Sequence, residues 1–347
     1  MSRTIRVLLV DDSAFVRRAT QRMLAPLEEV EVVGFAGNGE EAVECVRALR
    51  PDLVIMDVNM PGMNGMQALE RIMAEHPTPV LLLSSLTQEG AEVTLRALEA
   101  GAVDFLDKTG AGTVMDIHGL GPVLRDKVRA ILHSEHLPSP APDVDTPAPP
   151  GKRVAAAGTY EVIAIGASTG GPRALTEVIP ALPAGLGAGV VVAQHIPAGF
   201  TETLAERIDR RSRVRVREGR DGDAVLPDEV LIAPGGHQMV VERAGEGLRV
   251  RVWEDRGEHL HRPSVDLLFD SVARAAGRHA VGVVLTGMGN DGAEGLGRIR
   301  GAGGRTLVES AETAVIYGMP QAALPHAERS LPLDRIAAAL AEICGGG

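Results

Sequence analysis

The stretch Val162-Ile163-Ala164-Ile165-Gly166-Ala167-Ser168-Thr169-Gly170-Gly171-Pro172 decides the fold of the second half of the chain. Its apolar start predicts a buried strand, and the residues after it have the periodicity of a helix. The Gly-x-Ser-x-Gly pattern between them predicts a nucleophile elbow, a tight turn that exposes the serine hydroxyl. The next backbone N–H, on Thr169, can then stabilise an oxyanion at the helix N-terminus. A plain glycine turn or a phosphate-binding loop is the alternative reading, which the lack of Gly-Lys-Ser/Thr weakens.

Strand and helix patterns alternate on both sides of this stretch. Strands that are apolar throughout are typical of parallel sheets covered by helices on both faces, so each half of the chain is predicted to be a doubly wound α/β domain. The strand candidates of the first half are Ile5–Val10, Val30–Gly34, Leu53–Met56, Val80–Leu83 and Val103–Leu106. Those of the second half are Val162–Ile165, Val190–Ala193, Val214–Val216, Val230–Ala233 and Val281–Leu285, with a β-hairpin inserted at Met239–Arg243 and Leu248–Trp253.

A proline-rich segment divides the two halves. Residues 137–151 contain six prolines and almost no bulky apolar side chain, which is typical of an extended, semi-stiff spacer. We therefore expect one domain at residues 1–136, a linker at residues 137–158 and a second domain at residues 159–347. The total of 347 residues is enough for two domains of ordinary size.

Composition excludes several classes of protein. The net charge of −11 and the aromatic content of 2% argue against nucleic-acid binding. No apolar run approaches the ~18–20 residues of a membrane span, and the N-terminus lacks a signal-peptide core, so we expect no membrane insertion. The only cysteines, Cys45 and Cys344, indicate neither a disulfide framework nor a zinc site. These features favour a cytoplasmic protein.

Polar and charged side chains lie at the ends of several strands of the first domain. Asp11 and Asp12 come directly after the first strand candidate, and Asp57 after the third. Ser84 ends the fourth strand, and Lys108 follows the fifth. Because the carboxyl ends of parallel strands meet at one edge of a sheet, these five residues are expected to lie together. An aspartate after a strand is also a common helix N-cap, which is the alternative for each one taken alone.

The chemistry of this set points to a phosphorylation site. Three neighbouring carboxylates repel one another unless a cation intervenes, and hard oxygen ligands suit Mg²⁺. Such a pocket can hold a phosphoryl group on Asp57, with Mg²⁺ and Lys108 balancing its charge. An aspartate carboxylate is a known nucleophile in the formation of aspartyl-phosphate.

The first domain resembles the receiver domains of response regulators. The resemblance covers residues 4–130 and rests on Asp11-Asp12-Ser13, Met56–Gly65, Ser84-Ser85 and Phe105-Leu106-Asp107-Lys108. It implies a flavodoxin-like fold, phosphorylation by a histidine kinase, and Mg²⁺ in this domain. The implied roles are Asp57 as phosphoacceptor, Asp11 and Asp12 with Asp57 as Mg²⁺ ligands, and Ser84, Phe105 and Lys108 as the residues that respond to phosphorylation.

Two positions depart from the receiver pattern. Thr109 stands where proline usually follows the lysine, which puts the usual cis peptide there in doubt. Asn64 stands where aspartate is common. Between Ser84 and Ser85, strand register favours Ser84 as the switch hydroxyl.

A serine nucleophile requires a base and a group that orients the base. His195 follows a buried strand in Gln194-His195-Ile196-Pro197, so it should emerge at the same sheet edge as Ser168. Asp291 lies in a glycine-rich loop after another strand and should reach this edge as well. The alternative for His195 is a purely structural histidine. The alternative for the glycine-rich loop with Asp291 is a turn that only allows close packing. Four other histidines compete for the role of base, namely His237, His259, His261 and His279, and the isolated His259/His261 pair does not predict a metal site.

The second domain resembles the catalytic domain of the chemotaxis protein-glutamate methylesterases, the CheB family. The resemblance covers residues 160–343 and rests on Ile165–Pro172, Gln194–Pro197, Ile232–Gly235, His261–Asp266, Leu285–Gly292 and Tyr317–Pro320. It implies Ser168 as nucleophile, His195 as base and Asp291 as its orienting partner. It also implies Thr169 and Met288 as backbone oxyanion donors, and no cofactor in this domain.

Together, the two resemblances predict a phosphorylation-activated serine hydrolase of two-component signalling. The expected reaction is hydrolysis of glutamate γ-methyl esters on methyl-accepting chemoreceptors, with deamidation of glutamines by the same intermediate. One alternative keeps the esterase chemistry but places it on a methylated sensory protein outside chemotaxis. Another is a phosphorylation-dependent binding module with no catalysis.

Overall fold

The computed structural model describes residues 4–84, 88–108, 117–132 and 160–345, which fall into two compact units on either side of the gap at residues 133–159. The predicted linker, both domain boundaries, Thr109 and Ser85 lie outside the described residues. Across the ranges just given, no helix is both long and apolar enough to cross a membrane.

The first unit is a five-stranded sheet with helices between its strands. The strands are β1 (Ile5–Val10), β2 (Val30–Ala36), β3 (Leu53–Asp57), β4 (Val80–Ser84) and β5 (Asp104–Asp107); the helices are α1 (Ala14–Leu24), α2 (Gly39–Leu49), α3 (Gly65–Glu75), α4 (Gln88–Glu99) and α5 (Ile117–Leu132). Every strand pair is parallel, and the order is β2-β1-β3-β4-β5. This is the order of the flavodoxin-like fold.

Helix capping explains why the aspartates of this unit remain available at the sheet edge. The hydroxyl of Ser13, not a carboxylate, caps α1 by accepting from the Val16 N–H. Asn64 caps α3 in a reciprocal pair of hydrogen bonds with Gln67. The alternative that Asp11, Asp12 or Asp57 serves as an N-cap is therefore wrong.

The second unit is built on seven parallel strands. They are β6 (Val162–Ala167), β7 (Gly189–Gln194), β8 (Arg215–Glu218), β9 (Glu229–Ile232), β12 (Ala280–Val284), β13 (Arg305–Glu309) and β14 (Arg329–Leu331), and β10 (His237–Ala244) pairs with β11 (Gly247–Glu254) in a separate antiparallel hairpin. The helices are α6 (Gly171–Val178), α7 (Thr201–Asp209), α8 (Val265–Ala276), α9 (Ala293–Gly301), α10 (Gly318–Ala323) and α11 (Leu333–Gly345), with short 3₁₀ turns at Gly277–His279 and Leu324–His326.

The chain order reverses at the centre of this sheet. The strand order is β14-β13-β12-β6-β7-β9-β8, so β6 lies between β7, the next strand in sequence, and β12. In open parallel sheets, binding sites form outside the carboxyl ends of the strands at such a switch point. The topology therefore places the loops after β6, β7 and β12 side by side.

The hairpin and α8 complete the core beside this switch point. Val250 of β11 and Leu268 and Phe269 of α8 are fully buried in one apolar cluster with β6 and β12. The backbone N–H of Val241 in β10 donates to the hydroxyl of Ser271 in α8 at 2.9 Å. The hairpin therefore supports α8, whose N-terminus faces the sheet edge.

The predicted fold class is confirmed, and all ten strand candidates and the hairpin are present with ends shifted by a few residues. The sequence reading missed β13, β14 and α10. β13 has charged residues at both ends, and β14 has three residues, so neither forms a clear apolar run. α10 spans six residues and contains Pro320, which leaves too little length for helical periodicity.

The sheet of the second unit buries a carboxyl group next to the candidate site. Glu309, the last residue of β13, has no exposed surface. Burial raises the pKa of Glu309 to about 7 from an ordinary value of 4.5. Between these two pH values the folded protein keeps a proton that the unfolded chain has released, so rising pH favours unfolding.

We therefore expect the free energy of unfolding of the second unit to fall by about 3 kcal/mol, relative to Glu309→Gln, as the pH rises from about 4.5 to about 7. Trp253, the single tryptophan, lies in this unit and reports its denaturant unfolding by fluorescence. A constant difference between wild type and Glu309→Gln over this range would contradict the assignment.

Candidate active site

The serine turn follows from the space available around its glycines. Gly170 has φ +79°, a left-handed conformation that favours glycine, and a Cβ there would lie 2.7 Å from the Val315 side chain. A Cβ on Gly166 would lie 2.2 Å from a methyl group of Val265. The chain can therefore turn tightly between β6 and α6, and Ser168 is left half-buried at the sheet edge. The tight turn alone fits either a nucleophile elbow or a phosphate-binding loop, so the residues that lie beside Ser168 distinguish the two.

His195 and Asp291 meet at this edge because their strands flank β6. His195 directly follows β7, and Asp291 lies between β12 and α9. The Nε2 atom of His195 and the Oδ2 atom of Asp291 are 2.8 Å apart. The backbone N–H of His195 also donates to the carbonyl of Ala167, beside Ser168, at 3.0 Å. The structure thus brings the predicted base and its predicted partner into hydrogen-bond contact.

The carboxylate of Asp291 lies against the N-terminus of α8. It accepts from the backbone N–H groups of Val265 at 2.8 Å and Asp266 at 2.9 Å, and from the hydroxyl of Ser264 at 3.1 Å. Burial alone would raise the pKa of Asp291, but the contact with His195 and these donors outweigh it and lower the pKa to about 2. Asp291 is therefore ionised at any pH at which the protein works.

This arrangement fixes the tautomer of His195. An ionised carboxylate only accepts hydrogen bonds, so the proton of the imidazole lies on Nε2, facing Asp291. Nδ1 is then the unprotonated nitrogen. It is the nitrogen of a neutral ring that can accept a proton.

Gln194 is a site residue that sequence reasoning missed. Its Nε2 atom donates to the backbone carbonyls of Ser168 at 2.8 Å and His195 at 3.0 Å, and the residue is buried. One side chain therefore ties the turn of the nucleophile to the loop of the base. Its position beside His195 at the end of a buried strand was the only signal in the sequence.

His261, which the sequence offered only as a competing base, is a second residue of the site. Its ring stacks on that of His195, with centroids 4.2 Å apart and planes inclined by 7°. Burial, followed by the neighbouring His195, lowers the pKa of His261, which favours a neutral ring. A buried glutamine, Gln238, holds the loop that carries His261, donating to the His261 carbonyl at 2.7 Å and to Asp255 at 2.8 Å.

The other three histidines have different surroundings. His237 contacts the carbonyl of Gly235, His259 contacts Asp255, and His279 lies in a 3₁₀ turn beside Arg278. His195, His261 and Asp291 together have ligand atoms close enough to hold a metal ion. However, four donors already occupy the oxygens of Asp291, about the capacity of a carboxylate, which disfavours a metal there.

The candidate oxyanion donors lie on two adjoining loops. Thr169 is buried directly after Ser168, and Met288 is half-buried in the loop after β12. A Cβ on Gly287 would lie 2.8 Å from the Cβ of Ser168, so the two loops are in close contact. The donor roles of Thr169 and Met288 remain predictions.

In the first unit, Lys108 bridges two carboxylates at the carboxyl end of the sheet. Its Nζ atom lies 2.7 Å from Asp11 and 2.8 Å from Asp57. Asp12 completes a cluster whose three carboxylates have ligand atoms within 4.8 Å of one another. Three hard oxygen donors at this spacing fit Mg²⁺.

Burial and the neighbouring charges change the pKa of Asp57. Burial raises the pKa of Asp57, the ammonium of Lys108 opposes the rise, and the charge of Asp11 adds to it. The backbone N–H of Asn59 donates to the carboxylate at 3.3 Å. A cation at the cluster would offset the repulsion between Asp57 and its acidic neighbours.

Two of the three candidate switch residues, Ser84 and Phe105, are buried. The hydroxyl of Ser84 shares a 2.7 Å hydrogen bond with that of Thr94 in α4. Phe105 lies inside β5, with 5% of its surface exposed. Their response to phosphorylation remains a prediction.

Each of the two units matches a known protein family. A sequence model of the family described as CheB methylesterase matches residues 163–340. The chain belongs to the CheB methylesterase family. A model described as response regulator receiver domain matches residues 7–116 of this CheB-family chain.

Similar proteins extend over almost the whole CheB-family chain. A protein-glutamate methylesterase/protein-glutamine glutaminase 2 from Pseudomonas aeruginosa is 46% identical over 338 residues, covering 97% of this chain and 96% of the relative. A protein-glutamate methylesterase/protein-glutamine glutaminase from Geobacillus kaustophilus is 42% identical over 347 residues, covering 99% of each. The crystal structure of the Thermotoga maritima CheB methylesterase catalytic domain aligns with TM-score 0.52 and 36% identity, covering 53% of this chain and 98% of that domain.

We expect Ser168 to react with a fluorophosphonate probe, and Asp291→Asn to slow this labelling by about 10³–10⁴-fold. Asparagine has one acceptor oxygen in place of two and no charge, so its amide N–H groups would face other donors and His195 would lose the negative charge that stabilises its imidazolium. Labelling rates are read from in-gel fluorescence, with the exposed Asp334→Asn as matched control. Equal rates for Asp291→Asn and wild type would contradict the assigned geometry.

Proposed function

We propose that this protein is a serine esterase that hydrolyses glutamate γ-methyl esters on methylated chemoreceptors, under the control of phosphorylation at Asp57. The contact between His195 and the ionised Asp291, beside the turn that carries Ser168, is the observation that carries the proposal. The names of the relatives support the choice of substrate. The receiver unit supports the choice of control.

The first half of the reaction is acylation. Ser168 Oγ attacks the ester carbonyl carbon and gives its proton to Nδ1 of His195. The negative charge on the carbonyl oxygen is stabilised by the backbone N–H groups of Thr169 and Met288. When the C–O bond breaks, His195 passes the proton to the leaving oxygen, which departs as methanol and leaves a glutamyl ester on Ser168.

The second half of the reaction is deacylation, which regenerates the free enzyme. His195 takes a proton from water as the water attacks the acyl-enzyme, and then protonates Ser168 Oγ as it leaves. The product is a glutamate carboxylate. A glutamine amide can follow the same path with ammonia in place of methanol, which accounts for deamidation.

Asp291 does not move protons in this scheme. Its charge holds the Nε2 proton of His195 and stabilises the imidazolium that forms in each half-reaction. Because its own pKa is about 2, it remains ionised throughout.

In the receiver unit, an oxygen of Asp57 takes a phosphoryl group from a histidine kinase or a small phosphoryl donor. Asp11, Asp12 and Asp57 would hold Mg²⁺, which shields the charge of the incoming group. Lys108 already contacts Asp57 and can pair with the new phosphoryl oxygens. The added charge of about −1.5 to −2 then acts on the Ser84 and Phe105 side of the sheet. Both the kinase and the receptor tails would be reached in the cytoplasm.

We expect methanol release from methyl-esterified receptor membranes to depend on Ser168 and to rise on addition of acetyl phosphate with Mg²⁺. Ser168→Ala should abolish release, and the exposed Ser330→Ala should leave it unchanged. Asp57→Asn should keep basal release but lose the response to acetyl phosphate, whereas the exposed Asp126→Asn should keep the response.

Each alternative has its own outcome in this assay. Release that is independent of Ser168 would overturn the nucleophile. An equal response to acetyl phosphate in wild type and Asp57→Asn would overturn the control site. No release in either state would favour a different methylated protein or a binding module.

A further inference from the structure

Glu309 lies beneath the candidate site and has no part in the scheme above. It ends β13, the neighbour of β12, and is fully buried. One carboxyl oxygen accepts from the backbone N–H of Thr286 at 2.8 Å, and the other accepts from the hydroxyl of Thr313 at 2.9 Å. Both oxygens are therefore used as acceptors inside the protein.

Thr286 links this carboxyl to the nucleophile turn. Its carbonyl accepts from the backbone N–H of Ser168 at 3.0 Å, and its hydroxyl donates to the carbonyl of Thr169 at 2.9 Å. The same hydroxyl accepts from the N–H of Ile316 at 2.9 Å. Thr286 thus uses its N–H, carbonyl and hydroxyl to join Glu309 to Ser168 and Thr169.

The loop after Thr286 is tightly packed against its neighbours. A Cβ on Gly287 would lie 2.3 Å from the sulfur of Met319 as well as 2.8 Å from the Cβ of Ser168. The Gly287 N–H donates to the Ile316 carbonyl at 2.9 Å. Met288, a candidate oxyanion donor, is the next residue, so its N–H depends on where Thr286 and Gly287 are held.

We propose that Glu309 is a positioning residue that fixes the oxyanion loop (residues 286–289) against the nucleophile turn through Thr286. The inference rests on the proposed function, since it assigns Glu309 to the same reaction. Oxyanion donors act only when they are aimed at the developing charge, and a small displacement removes much of their effect. Glu309 touches neither substrate nor reacting atoms and acts through Thr286.

Burying a carboxyl group costs free energy, so its presence beside the site favours a functional role for Glu309. Burial raises the pKa of Glu309 to about 7, and Arg173 and Glu177 of α6 are the charged neighbours that also act on it. A buried carboxyl with a strongly shifted pKa is more often found near a functional site than in an ordinary core.

The test compares Glu309→Ala with Glu309→Gln in the full-length protein treated with acetyl phosphate. Glutamine keeps an oxygen that accepts from Thr286, whereas alanine removes it. For Glu309→Ala we expect kcat for methanol release to fall about 10–100-fold, with KM unchanged. Fluorophosphonate labelling of Ser168 should slow by the same factor. Glu309→Gln should restore most of both.

Glu229 provides the matched control. It is a buried carboxylate at the start of β9, at the opposite end of the sheet, and it contacts Arg217 at 2.8 Å. Glu229→Ala should lower the midpoint of thermal unfolding without lowering kcat. Thr286→Val keeps the N–H that donates to Glu309 but lacks the hydroxyl that donates to Thr169, so it should lower kcat by loosening the other end of the same link. Glu309→Leu, which fills the space without an acceptor for the Thr286 N–H, replaces Glu309→Ala if that variant does not fold.

Unchanged kcat and labelling in folded Glu309→Ala, or an equal loss in Glu229→Ala, would overturn the positioning role. A fall in kcat confined to Glu309→Ala and Thr286→Val would support it. If wild type releases no methanol by way of Ser168, the proposed function fails by itself. The labelling rates of Glu309→Ala and Glu309→Gln then still decide whether Glu309 positions the turn.

Discussion

The hydrogen bond between His195 and Asp291 is the interaction on which the rest of the second unit depends. It requires a carboxylate that stays ionised while buried, and the N-terminus of α8 supplies the donors that make this possible. α8 is in turn supported by the β10–β11 hairpin, which explains why a parallel-sheet unit carries an antiparallel insertion. The strand order then places the turn of Ser168 beside this pair, because β6 lies between β7 and β12.

The receiver unit solves a related electrostatic problem in a different way. Asp11 and Asp57 lie at the carboxyl edge of its sheet, and the ammonium of Lys108 stands between them. In the second unit backbone N–H groups stabilise the buried charge of Asp291, whereas here the ammonium group of Lys108 stabilises the charges of Asp11 and Asp57. Both units place their reactive groups where parallel strands end, so one rule of sheet topology locates both sites.

Much of this could be predicted from the sequence because strand ends mark both sites. Apolar runs located the strands, and the residues directly after them included Asp57, Lys108, Ser168 and His195. The contributions of Gln194, His261 and Glu309 could not be predicted, because each depends on contacts between segments far apart in the chain. Glu309 was also hidden because β13 is too polar at its ends to read as a buried strand.

In the proposed mechanism Ser168 carries the glutamyl group during turnover. The most direct measurement is acid quenching of the acetyl phosphate-treated enzyme during turnover of a methyl-esterified receptor fragment, followed by mass spectrometry of the peptide that contains Ser168. We expect a mass increase on Ser168 equal to the mass of the receptor fragment minus that of methanol. Continued methanol release with Ser168 unmodified at every quench time would contradict it.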